Sequence, residues 1–172
     1  MKKFLLLFVV CLTLHACAQT DKTPEYSRTP ANKNPHYSRT ETKTLKLSNA
    51  EWKKVLSPEL YEVSRLAGTE RAFTGKYWDT ETKGTYYCAA CGNKLFESTA
   101  KFSSHCGWPS FFKQDNKNST YEKPDNTLGM ERIEVLCARC DGHLGHIFDD
   151  GPPPTGKRYC MNSIALDFEP KK

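Results

Sequence analysis

Glu131-Arg132-Ile133-Glu134-Val135-Leu136-Cys137-Ala138-Arg139-Cys140-Asp141-Gly142 reads as a short strand running into a thiol-bearing turn. β-Branched Ile133 and Val135 alternate with charged Arg132 and Glu134, the pattern of a half-buried strand. Thr85-Tyr86-Tyr87-Cys88-Ala89-Ala90-Cys91-Gly92 repeats the arrangement: strand signal, CxxC, glycine close behind. Two residues between thiolates let one turn present both sulfurs to one metal ion, and two such turns complete a tetrahedral site. Cys88, Cys91, Cys137 and Cys140 are therefore expected to hold one structural Zn2+. A site closed by four thiolates has no open position for water, so the metal is not expected to do catalysis. The pairs stand 45 residues apart, and the fold must bring them together. Two disulfides, two redox-active CxxC centres and paired structural thiols are the rival readings, the first favoured by an oxidising compartment.

Working outward, Lys94-Leu95-Phe96 and Ser163-Ile164-Ala165-Leu166-Asp167-Phe168 carry further strand signals. Ser48-Asn49-Ala50-Glu51 has capping-box spacing ahead of Trp52, Val55 and Leu56, which predicts a short helix. A second should follow with Ser57 as cap and Pro58 at its first position; Leu60, Tyr61, Val63 and Leu66 give it an apolar side, and Gly68 ends it. Lys113 to Leu128 and Gly151 to Gly156 read as loops by composition. The fold class expected is α+β, mainly β, with antiparallel sheets.

The 172-residue chain has a net charge of +5, but from Leu45 onward 18 basic residues face 17 acidic ones, so a nucleic-acid partner is not expected. The excess lies at the N-terminus. Lys2 and Lys3 precede a largely apolar run from Phe4 to Leu14, too short to span a bilayer and shaped like a signal peptide. Leu14-His15-Ala16-Cys17 resembles the lipobox of bacterial lipoproteins, which implies cleavage before Cys17, lipidation of Cys17 and loss of Cys11 with the leader. Residues 18–44 are polar and proline-containing, and are expected to form a disordered tether. Within them Pro24-Glu25-Tyr26-Ser27-Arg28-Thr29 recurs as Pro35-His36-Tyr37-Ser38-Arg39-Thr40, read as a duplicated spacer. The expected organisation is a leader at 1–17, the tether at 18–44 and a domain at 45–170, exported and membrane-anchored on the periplasmic face or cell surface.

Two cysteines remain. Cys106 sits in His105-Cys106-Gly107-Trp108-Pro109-Ser110-Phe111, and Cys160 in Arg158-Tyr159-Cys160-Met161-Asn162-Ser163. A free cysteine alone is more often a small buried apolar residue than a nucleophile. His143-Leu144-Gly145-His146 followed by Asp149-Asp150 supplies groups able to lower a thiol pKa and move protons. No GxSxG or HExxH motif supports serine or zinc hydrolysis.

Gly68-Thr69-Glu70, Ala72-Phe73-Thr74-Gly75, Gly107-Trp108-Pro109-Ser110-Phe111, His143-Leu144-Gly145-His146-Ile147-Phe148, Asp150-Gly151-Pro152 and Arg158-Tyr159-Cys160-Met161-Asn162 occur in the order seen in B-type methionine sulfoxide reductases. From about Leu47 to Phe168 the chain resembles that family. The resemblance implies two small antiparallel sheets with helices at the N-terminal side, and zinc knuckles at the CxxC pairs. It implies Cys160 as nucleophile on the sulfoxide of (R)-methionine sulfoxide, His146 with His143 as proton donor, and Asp150 and Asn162 orienting histidines or substrate. Trp108 and Phe148 would form the wall around the substrate methyl group. Cys106 would resolve the sulfenic acid as a Cys106-Cys160 disulfide, reopened by a thioredoxin-like dithiol. The partners implied are oxidised protein or peptide methionine, that reductant and a membrane. One departure stands out: Ser104-His105 precedes Cys106 where the family more often has glycine just ahead of the cysteine.

Overall fold

The computed structural model describes residues 34–172. The leader at 1–17, Cys17 and the first copy of the repeat lie outside the described residues.

Helix α1 (Asn49–Val55) begins with the anticipated capping box: the Ser48 hydroxyl accepts from Glu51 N–H while Glu51 accepts from Ser48 N–H. Helix α2 (Pro58–Leu66) is capped by Ser57, which accepts from Leu60 N–H, and Ala67 ends it in the left-handed conformation one residue before Gly68. Trp52 of α1 is fully buried. Arg65 of α2 lies over the Trp52 ring and donates to the Cys140 carbonyl at 2.8 Å, which ties the helices to the second CxxC turn.

Strands β1 (Gly84–Cys88), β2 (Lys94–Glu97), β3 (Lys101–Phe102), β4 (Ser110–Phe111), β5 (Thr120–Asp125), β6 (Arg132–Cys137), β7 (His143–Phe148), β8 (Arg158–Met161) and β9 (Leu166–Pro170) form two antiparallel sheets. The smaller has the order β2-β1-β9 and the larger β3-β4-β8-β7-β6-β5. The sheets meet through aromatic rings. Phe96 of β2 stacks on Phe111 of β4 at 4.3 Å, and Tyr86 of β1 touches Phe111 at 5.0 Å and Phe168 of β9 at 4.6 Å. Edge-to-face and offset contacts of this kind add to the area these rings bury.

Several elements depart from the sequence reading. Strand β5 occupies a stretch whose charge and proline read as loop; it is the edge of the large sheet, where Pro124 needs no ladder partner on its open side. Ser163–Ala165 is a 3-10 turn, not strand, because the Glu70 carboxylate accepts from the backbone N–H groups of Ser163 and Ile164 at 2.5 and 3.0 Å. The predicted disordered tether is ordered over residues 34–44. Asn34 is buried and donates to the Ala90 carbonyl at 2.7 Å; Ser38 N–H donates to Cys91 at 2.9 Å. Arg39 pairs with Asp167 and Glu169 at 2.8 and 2.9 Å and covers the Tyr87 ring. Arg139 donates to the carbonyls of Ser38 and Lys43 at 3.0 and 3.2 Å. A segment without an apolar face is held here by polar groups whose partners lie far along the chain.

Candidate active site and metal centre

In each CxxC turn the residue after the second cysteine donates back to the first. Gly92 N–H bonds the Cys88 carbonyl at 2.7 Å and Asp141 N–H bonds Cys137 at 2.9 Å. Both have left-handed backbone, φ +81° and +57°, which Gly92 adopts without steric cost. A side chain at Gly92 would also meet the Ser38 carbonyl at 2.6 Å.

The turns bring the four sulfurs together: Cys88 and Cys140 approach to 3.7 Å, Cys91 and Cys137 to 3.6 Å, and all four ligand atoms lie within 4.8 Å of one another. Four thiolates about 2.3 Å from one tetrahedral ion stand about 3.8 Å apart, so the donor set fits a metal such as zinc. A disulfide needs sulfurs at about 2.05 Å, so these cysteines are not paired in that way. Cys88 is pushed well up, first by its hydrogen bonds to Cys137 and Cys140. Cys140 is likewise pushed up, first by Cys137. Full ionisation of the cluster therefore calls for a cation.

The larger sheet carries the second group of residues by register. Glu134 of β6, His146 of β7, Cys160 of β8 and Ser110 of β4 are successive cross-strand partners, so they share one face. The next row, Ile133, Ile147, Tyr159 and Phe111, lies on the opposite face, where Ile147, Tyr159 and Phe111 join the core. Gly145 lets β8 approach: a Cβ there would stand 2.1 Å from the Cys160 carbonyl oxygen.

Cys106 and Cys160, 54 positions apart, have their sulfurs 3.6 Å from each other. The hydrogen bond from Cys160 is the main influence that brings Cys106 down to about 4, against burial and with help from Ser104 and Ser110. The same contact and burial push Cys160 up, while Arg158 acts the other way. The pair thus gives up one proton readily and keeps the second. A cavity of about 530 Å³ opens beside them, lined in part by Ser104, Cys106, Asp150, Pro152 and Arg158.

The histidines have partners that sequence reasoning missed. His143 Nδ1 is 2.8 Å from Glu134 and His146 Nε2 is 2.8 Å from Asp125, and the two rings meet edge to face at 5.3 Å. Burial lowers His143 despite Glu134. Asp125 also accepts from Thr127 and Arg132. Asp125 lay in the stretch read as loop, and only the strand register joins it to His146. Asp150, expected to orient the histidines or the substrate, grips Arg158 with both oxygens, at 2.8 and 2.9 Å, and lines the cavity beside Cys106. Asn162 is buried with both ends engaged on backbone: it accepts from Glu70 N–H at 3.0 Å and donates to the Leu144 carbonyl at 3.1 Å. Trp108 donates to the Glu70 carbonyl at 3.1 Å, and Phe148 lies under the Arg158 guanidinium at 4.3 Å on the same face as His146.

A pair of close thiols, Cys160 on β8 and Cys106 in the turn before β4, together with a separate four-cysteine cluster, marks a thiol-redox domain. The SelR domain family matches residues 56–170. The chain is 57% identical over 124 residues to the peptide methionine sulfoxide reductase MsrB of Thiobacillus denitrificans, covering 72% of this chain and 94% of that one. Its identity to the peptide methionine sulfoxide reductase MsrB of Pseudomonas savastanoi pv. phaseolicola is 55% over 122 residues, with 71% and 93% covered. With that of Acinetobacter baylyi it is 51% over 125 residues, with 73% and 90% covered. The chain belongs to the SelR-domain family, the B-type methionine sulfoxide reductases.

Proposed function

We propose that the protein is a peptide-methionine (R)-S-oxide reductase that works through a Cys160 sulfenic acid and a Cys106-Cys160 disulfide. The observation that carries this reading is the 3.6 Å approach of the two sulfurs on the histidine-bearing face of the sheet. Cys106 and Cys160 share one proton across 3.6 Å; with that proton on Cys106, Cys160 attacks the sulfoxide sulfur as the thiolate, the oxygen takes up a proton, methionine leaves, and Cys160 becomes a sulfenic acid, the first reversible step of thiol oxidation. His146, held by Asp125 and flanked by His143, supplies that proton. Arg158, fixed by Asp150, offsets the charge on Cys160. Asn162 fixes the chain just after the nucleophile. Trp108 and Phe148 wall the methyl group of the substrate.

Cys106 then attacks the Cys160 sulfur, the hydroxyl leaves as water, and the disulfide is reduced by exchange with a thioredoxin-like dithiol. Cys88, Cys91, Cys137 and Cys140 would hold Zn2+, which crosslinks the two CxxC turns. In the same reading residues 1–17 carry the lipoprotein signal, cleaved before Cys17, which bears the lipid, and the enzyme repairs methionine in exported proteins. The order of basic, apolar and small residues ending at Leu14-His15-Ala16-Cys17 supports this.

Purified protein with dithiothreitol should consume the R epimer of a methionine sulfoxide peptide; consumption of the S epimer alone would overturn the assignment. One turnover without reductant should remove two hydrogens, mapped by peptide mass to Cys106 and Cys160. The mature N-terminus, read by mass spectrometry from membranes, should be a lipidated Cys17.

A further inference from the structure

The surroundings of Cys106 hold chemistry that the two steps above leave unused. Ser104 Oγ lies 3.0 Å from the Cys106 sulfur and 2.7 Å from Ser110 Oγ. Ser110 Oγ is itself 3.6 Å from the sulfur and donates to the Trp108 carbonyl at 3.3 Å. The Cys106 sulfur can donate to that same carbonyl, at 3.7 Å. Ser110 is fully buried, opposite Cys160 in the register of β4 and β8. Serines near turns ordinarily bond neighbouring backbone N–H groups. Neither of these hydroxyls accepts from one among the described residues; both are turned toward the sulfur and each other.

Two hydroxyls, one thiol and one carbonyl make a closed set whose proton positions follow the charge on sulfur. With Cys106 protonated, S–H can point to the Trp108 carbonyl. With Cys106 ionised, Ser104 O–H can donate to sulfur while Ser110 O–H donates to Ser104 Oγ, a chain of donors ending on the thiolate. Hydrogen bonds to an ionised acceptor are about twice as strong as neutral ones. The left-handed backbone of His105, φ +56°, turns the chain between Ser104 and Cys106.

We propose that Ser104, held by buried Ser110, is a positioning residue that keeps Cys106 ionised and aimed at Cys160, and so sets the rate of disulfide formation. The proposal rests on the reading of Cys106 as the resolving thiol. In that step a Cys106 to Cys160 S–S bond forms and the Cys160 S–O bond breaks. The proton given up by Cys106 leaves with the hydroxyl as water, so no further oxidant or reductant is needed.

The test is a single turnover of the full-length protein without reductant, following methionine release and thiol loss separately. In Ser104→Ala, disulfide formation should slow about tenfold or more relative to methionine release, as loss of one charge-assisted hydrogen bond predicts. Sulfenic acid on Cys160 should become trappable with dimedone. In a Cys160→Ser background, the alkylation midpoint of Cys106 should rise by about one pH unit when Ser104 is also replaced by alanine. Ser104→Thr, which keeps the hydroxyl, should restore both readouts. Disulfide formation as fast in Ser104→Ala as in the wild type, or a threonine variant as slow as the alanine one, would overturn the proposal. Absence of a Cys106-Cys160 disulfide from the wild-type protein would instead overturn the reading on which it rests.

Discussion

Three groups converge on the Asp125 carboxylate: Thr127 at 2.6 Å, Arg132 at 2.7 Å and His146 at 2.8 Å. The hydrogen bonds from Thr127 and His146 hold this carboxyl well below the usual range. Asp125→Asn keeps the shape and removes the charge. Steady-state kinetics should show kcat falling about tenfold to a hundredfold, short of the full loss of a general acid. A carboxyl depressed in the folded state stabilises the fold above its unfolded pKa of about 3.9, and that contribution fades as acid protonates it. The stability difference between wild type and Asp125→Asn, from urea melts, should therefore be constant from neutral pH to about pH 5 and shrink below about pH 4. His105, at φ +56°, occupies a conformation that costs a side-chain-bearing residue about 1 kcal/mol. His105→Gly should raise stability by up to about that amount, less the entropy glycine adds to the unfolded chain. Thermal denaturation measures the difference.

At the scale of elements, the site depends on strand pairing. The row Glu134, His146, Cys160 and Ser110 exists because β6, β7, β8 and β4 pair in one register, and a slip of one residue would send Cys160 to the core face. Gly145 is where this pairing is tightest, with 2.1 Å between a notional Cβ and the Cys160 carbonyl. Gly145→Ala must displace β8. It should cost roughly 1–3 kcal/mol by overpacking and, on the proposed mechanism, reduce activity more than stability, since the displaced strand carries Cys160. Comparing the loss of kcat/KM with the shift in denaturation midpoint checks this. The edge strand β5 contributes Asp125 to the same face, where it holds His146.

For the whole molecule, the four-cysteine cluster joins the turns that follow β1 and β6, one from each sheet. The β1 turn supplies Cys88 and Cys91, the β6 turn supplies Cys137 and Cys140, and the ordered segment from Asn34 closes over both through Ser38 and Arg139. A metal bound there is bound by the folded state alone, so its binding energy is folding energy. Chelation should lower the thermal midpoint by well over about 10 °C, given the several kcal/mol such sites supply and the response of a domain this size. Arg139→Gln should speed metal release to a chromogenic chelator, because it unlatches the segment that covers the cluster.

Local signals are legible in the amino-acid sequence. Capping at Ser48 and Ser57, alternation in β1 and β6, and the CxxC spacing each depend on residues within a turn or two of one another, so composition alone marks them. The motif run from Gly68 to Asn162 carried the family and its expected chemistry. What the sequence could not decide was every relation made across the chain by polar groups. Asp125 on His146, Glu134 on His143, Asp150 on Arg158 rather than on a histidine, and the burial of Asn34 all pair residues whose types are ordinary on a surface. Hydrogen bonds and ion pairs leave no periodic trace in a sequence, whereas apolar burial does. The thiol turns and helices were therefore readable from residue order, while the company kept by the histidines, Cys106 and Cys160 was decided by the tertiary fold, which alone brings such distant polar groups together.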